Sequence, residues 1–260
     1  MSPSKQRPLA VVTGVGRRRS IAATIARGLA EDGWDLVLNF WQPYDERLDL
    51  ERGTDDPDSI ADDCRILGAE VTLVPGDLGD PEFPEQLIAT RPTGRRVDGL
   101  VLSHCESVDS SILTTDVTSW DRHFNVNVRA SWLLIKAFAE QLPAPAEPDD
   151  GATGRIVALT SDHTAGNLPY GASKGALDRL VIAAALELAD RGVRSNLINP
   201  GPIDTGWMDD ELRRSLTRAT PAGRLGQPRD TADLVRFLFS DAGSWINGQL
   251  LHSNGGFQTS

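Results

Sequence analysis

Short apolar segments alternate with longer amphipathic ones along the whole chain. The apolar segments are rich in β-branched residues and predict strands at 9–13, 35–40, 70–74, 98–103, 154–160, 193–199 and 248–252. The amphipathic segments indicate helices near 20–32, 58–68, 81–90, 117–142, 170–191 and 228–241. Strands joined by crossover helices run parallel, and unbroken apolar runs are typical of strands buried on both faces. The sequence therefore predicts a single α/β domain over 1–260, a doubly wound parallel sheet of about seven strands with helices on both faces.

Three segments interrupt this alternation. Residues 43–57 are acidic and aperiodic, and residues 143–151 are rich in proline, so both are expected to be surface insertions. Residues 201–226 follow a predicted strand and contain a short helical pattern near 208–216. Ligands of open α/β sheets bind beyond the carboxyl ends of the strands, so this third segment predicts a lid over a substrate.

The composition excludes several classes of protein. No apolar run approaches the roughly 18 residues of a membrane-spanning helix, and the polar start is unlike a signal peptide. The formal net charge of -11 argues against binding to nucleic acids and to anionic membranes. Cys64 and Cys105 stand alone in separate segments, and the histidines form no paired ligand motif. We therefore expect a cytoplasmic protein with reduced thiols and no metal site.

Tyr170 and Lys174 form a pattern that predicts acid–base chemistry. If a helix begins near Pro169, their spacing places the phenol and the ammonium on one face, one turn apart. A neighbouring cation favours the phenolate form, and lowering a tyrosine pKa from about 10 to near 7 needs roughly 4 kcal/mol. The pair predicts a general acid/base that works at neutral pH. A surface tyrosine and a solvated lysine that share a helix face are the alternative.

A glycine-containing turn links the first predicted strand to the first predicted helix. Such a turn offers backbone N–H groups and a helix N-terminus to a pyrophosphate, so it predicts a dinucleotide site of the Rossmann type. Ser20 is a natural N-cap for this helix. The cofactor-binding residues expected here are Gly14, Gly16, Arg17, Arg18, Arg19, Ser20 and Ile21.

The arginines of this turn bear on the choice of cofactor. Three consecutive cations beside a helix N-terminus oppose its dipole and one another, which favours an anion among them. Asn39 ends the second predicted strand, where NAD-specific enzymes place a carboxylate for the ribose 2′-hydroxyl. Both features favour NADP(H) over NAD(H). A solvated arginine loop is the alternative, and the nearby Asp45 and Glu46 leave the preference open.

Several motifs together resemble those of the short-chain dehydrogenase/reductase family. They are Tyr170-Gly-Ala-Ser-Lys174, Asn199-Pro-Gly-Pro-Ile-Asp-Thr205, Gly223-Arg-Leu-Gly-Gln-Pro-Arg-Asp230 and Trp245-Ile-Asn-Gly-Gln249. The resemblance covers nearly the whole chain and is nearest to bacterial 3-oxoacyl-acyl-carrier-protein reductase-like members. It implies that the chain is an oxidoreductase.

The resemblance also implies roles for individual residues. Tyr170 would be the acid/base, Lys174 would bind the nicotinamide ribose and lower the tyrosine pKa, and Ser161 would polarise the substrate carbonyl. Asn127 would hold a proton-relay water, and Asp77 would contact adenine. The remaining cofactor contacts that it implies are Leu78, Ser103, Pro200, Gly201, Ile203 and Thr205.

This chain departs from the family pattern at three places. The glycine turn has one extra residue, with Ser20 and Ala22 where glycines are expected. The usual Asn-Asn-Ala-Gly is replaced by Leu102-Ser103-His104-Cys105, in which we expect His104 to be a structural substitute. Ser161 lies closer to Tyr170 in sequence than is usual, which leaves Thr160 as an alternative for its role.

Two functional hypotheses follow. The first is an NADP(H)-dependent reductase of a ketone or aldehyde, including 3-oxoacyl thioesters, with alcohol oxidation as its reverse. The second is a catalytically weak NADP(H)-binding sensor or structural partner. A hydrolase built on Ser161 and His163 is excluded, because no Gly-x-Ser-x-Gly motif is present. The wide apolar faces of 117–142 and 170–191 predict an oligomer, and the resemblance implies a homodimer or homotetramer through these helices.

Overall fold

The computed structural model describes residues 6–48, 50, 56–143 and 153–257. Within these ranges the strands are β1 Leu9–Val12, β2 Asp35–Phe40, β3 Val71–Pro75, β4 Gly99–Leu102, β5 Gly154–Leu159, β6 Val193–Asn199 and β7 Leu250–His252. All pair in parallel, in the order β3-β2-β1-β4-β5-β6-β7. The predicted seven-stranded parallel sheet is confirmed.

Helices cover both faces of the sheet. In the described parts of the chain they are α1 Ile21–Glu31, α2 Gln42–Arg47, α3 Asp56–Ile66, α4 Phe83–Ala89, α5 Val117–Phe124, α6 Ala130–Glu140, α7 Leu168–Glu187, α8 Asp210–Ala219 and α9 Pro228–Phe239. One buried cluster joins α1, α3 and α9 to one face, and a second joins α4, α6 and α7 to the other. Each face of the sheet is thus buried, which explains the unbroken apolar strands. Every described helix is too short or too polar to cross a lipid bilayer.

Three elements differ from the sequence prediction. The single helix expected over 117–142 is interrupted by a π-helical turn, Asn125–Arg129, between α5 and α6. Part of the segment expected to be aperiodic forms α2, because Pro43 is tolerated in the first turn of a helix. The helix of the predicted lid segment is α8, which begins at Asp210 where Asp209 accepts a hydrogen bond from Leu212 N at 2.8 Å. Residues 49, 51–55 and 144–151 of the two expected insertions lie outside the described residues.

A buried ion cluster secures the amino-terminal edge of the sheet. Asp35, the first residue of β2, is 4% exposed and accepts a hydrogen bond from Arg95 Nη1 at 2.7 Å. Arg7 Nε lies 3.4 Å from the same carboxylate, and Glu70 N donates to it at 2.9 Å. The charge of Asp35 is therefore compensated from three neighbouring segments, as a buried carboxylate requires.

Candidate active site

The strand order reverses between β1 and β4, and the loops that follow these two strands touch. Gly14 has φ +79°, and a Cβ there would lie 3.0 Å from backbone atoms of Ser103 and His104. Glycine is required both for this conformation and for the close approach. The contact sets one wall of a cleft at the carboxyl ends of the strands, where α/β sheets bind ligands.

His104 links the first and fourth strands to the π-helical turn. Its Nε2 donates to Val126 O at 3.0 Å, and its Nδ1 lies 2.7 Å from the hydroxyl oxygen of Thr13. The same hydroxyl accepts from Ser103 N at 3.1 Å. Burial lowers the pKa of His104 to about 3, and the positive charge of Lys174 adds to this shift. A buried neutral imidazole with both nitrogens bonded has the properties of a structural group.

Asn127 lies in the π-helical turn and is 1% exposed. Its amide nitrogen donates to Glu106 O at 2.9 Å and to Ser173 Oγ at 2.8 Å, and its oxygen accepts from Glu106 N at 2.7 Å. Both amide hydrogens are thus committed to the protein. The side chain joins the loop after β4 to α7, and its implied role with a relay water stays a prediction.

Tyr170 and Lys174 lie on the first two turns of α7, which begins at Leu168 with Pro169 in its first turn. Lys174 Nζ is 5.6 Å from the centroid of the Tyr170 ring and donates to Leu159 O at 2.8 Å. Lys174 is only 3% exposed. The pair therefore shares one helix face, and the lysine is fixed to the last residue of β5.

Ser161 follows β5, and its hydroxyl lies close enough to Tyr170 to influence the titration of the phenol. Its hydroxyl oxygen also accepts from the backbone N of His163 at 3.2 Å. The hydroxyl of Thr160 instead donates to Asp178, further along α7. Ser161, and not the alternative Thr160, is thus the hydroxyl beside the tyrosine.

Burial dominates the electrostatics of this cluster. It raises the pKa of Tyr170, the negative charge that Cys105 carries when ionised adds to the rise, and the nearby hydroxyl of Ser161 opposes it. Burial also lowers the pKa of Lys174, although Cys105 and Asp178 favour its charged form. The expectation that Lys174 lowers the pKa of Tyr170 into the neutral range is wrong for this arrangement. Its ammonium lies over the ring and is bonded to a backbone carbonyl.

Chain carboxylates pair with each arginine of the glycine turn. Arg17 Nε lies 3.2 Å from Asp45, and its Nη1 donates to Thr205 O at 3.1 Å. Arg18 bonds Asp63 of α3 at 2.8 Å. Arg19 lies 3.5 Å from Asp204 in the predicted lid segment. Two of the three arginines therefore join the turn to the segment that follows β6.

Residues expected to hold the adenosine end have partners within the chain. Asp77 accepts two hydrogen bonds from Arg122, at 2.8 and 2.9 Å. Asn39 donates to Val74 O and Gly76 O, both at 3.2 Å, and so joins β2 to β3. The absence of an acid at position 39 thus has a structural reason of its own.

The remaining expected cofactor residues lie along the same edge of the sheet. Ile21 opens α1, Leu78 is buried, and Ser103 follows β4 directly. Pro200 and Gly201 follow β6, with Gly201 N donating to Asn199 Oδ1 at 3.0 Å. Ile203 bridges to Gly226, which brings together the two ends of the predicted lid.

Comparison with known proteins identifies the family. A family model described as enoyl-(acyl carrier protein) reductase matches residues 14–258. Uncharacterized oxidoreductase YjdA of Bacillus subtilis is 30% identical over 262 residues, which are 99% of this chain and 99% of that protein. The chain belongs to the short-chain dehydrogenase/reductase family. It is therefore an NAD(P)-dependent oxidoreductase, as the motifs predicted.

Solved structures of short-chain dehydrogenases/reductases have the same fold. A blue fluorescent protein from a metagenomic library, in complex with NADPH, has a TM-score of 0.84 and 27% identity, with 97% of this chain and 98% of that chain covered. A 3-oxoacyl-[acyl-carrier protein] reductase from Brucella melitensis has a TM-score of 0.82 and 25% identity, with 99% of each chain covered. The likeness extends over nearly the whole length of all three chains.

The contacts of α2 along this edge of the sheet were not expected from the sequence. Tyr44 lies close enough to Cys105, Tyr170 and Glu106 for each to influence its titration. Burial is the main cause that raises the pKa of Tyr44. Two signals were available: Tyr44 is one of only two tyrosines, and the proline before it is favourable in a first helical turn.

The glycine turn has the properties that a dinucleotide phosphate requires. Arg18 N donates to Asp56 Oδ2 at 3.0 Å, and a Cβ at Gly16 would lie 2.7 Å from Asp45 Oδ2. Two carboxylates therefore contact this turn beside the N-terminus of α1, where anions bind favourably. The residues fit the phosphates of NAD(P)(H), although the chain's own anions already lie there.

The buried imidazole predicts how stability depends on pH. His104 is neutral when folded but binds a proton near pH 6.5 when unfolded, so stability falls as the pH drops below about 6.5. This group accounts for a loss of about 2 kcal/mol between pH 6.5 and 5. Urea unfolding over this range measures it, and His104→Gln is expected to show a flatter pH dependence. The exposed His252→Gln control retains the original slope, and an unchanged slope in His104→Gln contradicts the assignment.

Proposed function

We propose that this short-chain dehydrogenase/reductase uses NADPH to reduce a ketone or aldehyde, with Tyr170 as the proton donor. The observation that carries the proposal is the cluster of Ser161, Tyr170 and Lys174 at the carboxyl end of β5. Its two hydroxyl groups lie near each other and suit one carbonyl oxygen. The bound dinucleotide supplies the hydride in this chemistry.

The titration behaviour of Tyr170 favours reduction. Because burial raises its pKa, the phenol stays protonated at neutral pH and is available to donate. Ser161 hydrogen-bonds the developing oxyanion while Tyr170 delivers its proton. Lys174 lies over the Tyr170 ring and is placed to bind the nicotinamide ribose. Asn127 supports the cluster through Ser173 of α7.

The comparisons support a carbonyl substrate without identifying it. One related structure is a 3-oxoacyl-[acyl-carrier protein] reductase, and the matching family model is described as an enoyl reductase. A 3-oxoacyl thioester and a simple aldehyde both present the carbonyl that the two hydroxyls suit. A test panel should therefore contain both, with a 2-enoyl thioester for comparison.

Substitution of the proton donor tests the mechanism. Tyr170→Phe keeps the ring but removes the acidic proton, so kcat for NADPH-driven carbonyl reduction is expected to fall roughly 10²- to 10⁴-fold. NADPH binding, measured by tryptophan fluorescence, should stay within about twofold because the ring still packs over Lys174. Thr160→Val is the matched hydroxyl control, since Thr160 bonds Asp178 and not the tyrosine.

Equal turnover by Tyr170→Phe and the unmodified enzyme would contradict the mechanism. If NADPH binds but no carbonyl in the panel is reduced, the alternative function is favoured, that of an NADP(H)-binding sensor or structural partner. If neither NADPH nor NADH binds, both functions are excluded.

We also propose that Arg18 makes the enzyme bind NADPH in preference to NADH. Arg18 reaches Asp63 of α3 on the β2 side of the turn, where the 2′-phosphate of NADP(H) would lie. Arg18→Gln is expected to weaken NADPH binding about tenfold and NADH binding little, because only NADPH carries the extra phosphate. Arg27→Gln is a matched control, as Arg27 bonds the same Asp63 at 2.9 Å. Equal losses for both dinucleotides would contradict this assignment.

We propose a homo-oligomer that covers the outer faces of α5, α6 and α7. Trp120, Trp132 and Leu186 on these helices are 37%, 50% and 76% exposed. Light scattering at micromolar concentration should give a dimer or tetramer, and Trp132→Lys should lower the mass by placing a charge in the interface. Trp207→Lys, on the lid segment, is the exposed-tryptophan control. A monomeric mass for the unmodified protein would refute the oligomer.

A further inference from the structure

One short segment, Trp41–Arg47, lies across the carboxyl edge of the sheet from the glycine turn to Tyr170. It consists of α2 and the residue before it, and we refer to it as the strap. Its residues contact the turn after β1, the loop after β4 and an arginine of α5. These elements surround the cleft that the proposed function assigns to the dinucleotide.

Asp45 fixes the middle of the strap to the glycine turn. It is 6% exposed, and one oxygen lies 3.2 Å from Arg17 Nε. Its other oxygen would lie 2.7 Å from a Cβ at Gly16, so the carboxylate uses the space that glycine leaves open. This anion therefore lies against the backbone that a pyrophosphate would approach.

Tyr44 extends the strap toward the catalytic tyrosine. Its hydroxyl lies close enough to Cys105, in the loop that follows β4, and to Tyr170 for both to influence its titration. Asp45 thus contacts the glycine turn, while the neighbouring Tyr44 lies near the loop after β4.

Two further contacts hold the ends of the strap. The guanidinium of Arg122 lies 4.6 Å from the centroid of the Trp41 ring and bonds Asp77 on its other side. Arg47 pairs with Glu106, which is itself bonded to Arg122 at 3.3 Å. The strap is therefore attached at both ends to residues that border the adenosine side of the cleft.

We propose that the strap is an autoinhibitory element, which closes the dinucleotide cleft and must be displaced before NADP(H) binds. The proposal rests on the proposed function, since it concerns the same cleft. A pyrophosphate and the Asp45 carboxylate are both anions and compete for Arg17 and the turn beside α1. Binding therefore exchanges an internal anion for an external one. The measured affinity is reduced by the fraction of molecules in which the strap is closed.

Two substitutions release the strap in chemically different ways. Asp45→Asn removes the charge but keeps the shape, and Tyr44→Phe removes the hydroxyl near Cys105 without changing any charge. Each is expected to tighten NADPH binding about five- to tenfold, because the open fraction rises. Asp190→Asn is the matched control, the same change at an exposed side chain before β6 on the opposite edge of the sheet, and it should leave the affinity within about twofold. Tryptophan fluorescence measures the affinity, and circular dichroism verifies that each variant is folded.

Hydrogen exchange of the protein without dinucleotide gives a readout independent of activity and of binding. Amides of residues 41–48 should exchange faster in Asp45→Asn and Tyr44→Phe than in the unmodified protein, while Asp190→Asn should match it. Addition of NADPH to the unmodified protein should also speed exchange in 41–48 and slow it in 14–18. Saturation of the observed binding rate at high NADPH concentration would report the opening step.

The outcomes separate the strap from the proposed function. Tighter binding by Asp45→Asn alone indicates simple charge repulsion and overturns the strap. NADPH binding unaffected by either substitution, with unchanged exchange in 41–48, overturns the strap and leaves the reductase standing. If no dinucleotide binds to any variant, the reductase fails, and the inhibitory role of the strap fails with it.

Discussion

The close contact between the loops after β1 and β4 is the constraint on which the rest of the site depends. Because Gly14 has no side chain, the two backbones can approach closely: a Cβ there would lie 3.0 Å from backbone atoms of the loop after β4. Thr13 hydrogen-bonds His104 across this contact. His104 then fixes Val126 in the π-helical turn, which places Asn127 between Glu106 and Ser173. The position of α7, and hence of Tyr170, is thus set through a continuous series of hydrogen bonds that begins at the glycine turn.

Periodicity predicted the fold well because it reports burial on each face. The alternation of apolar strands and amphipathic helices was sufficient for the parallel sheet, and the spacing of Tyr170 and Lys174 placed both on one helix face. The π-helical turn was not predictable, since one extra residue in a turn leaves no periodic signal in so short a stretch. The turn is seen only in the structure, where it contains the buried Asn127.

The parts of the site that sequence did not predict depend on contacts between distant segments. The pKa of Tyr170 follows the burial of the phenol, which the assembled fold sets, and a local lysine does not outweigh it. The three arginines indicated an external anion because their partners are far away in sequence. Asp45, Asp63 and Asp204 lie between 28 and 185 residues from the arginines that they contact. Charge patterns along a chain show which groups need partners, but tertiary structure determines which partners they obtain.

The net charge of -11 has a local counterpart in this cleft. Acidic side chains from α2, α3 and the segment after β6 neutralise the cations of the glycine turn. The turn therefore has little excess positive charge, and a phosphate that bound there would replace carboxylates of the chain. Discrimination between anions then depends on geometry at the backbone amides more than on the overall field.

The ion cluster at the amino-terminal edge shows how a parallel sheet separates two kinds of charged residue. At that edge Asp35 and Arg95 are buried together, far along the strands from Tyr170, and serve the fold alone. At the carboxyl edge, Asp45 and Arg17 form the pair that the strap proposal expects a dinucleotide to replace. Strand direction thus separates two otherwise similar ion pairs. Substitution of the first would destabilise the fold, whereas substitution of the second would alter which ligand is bound.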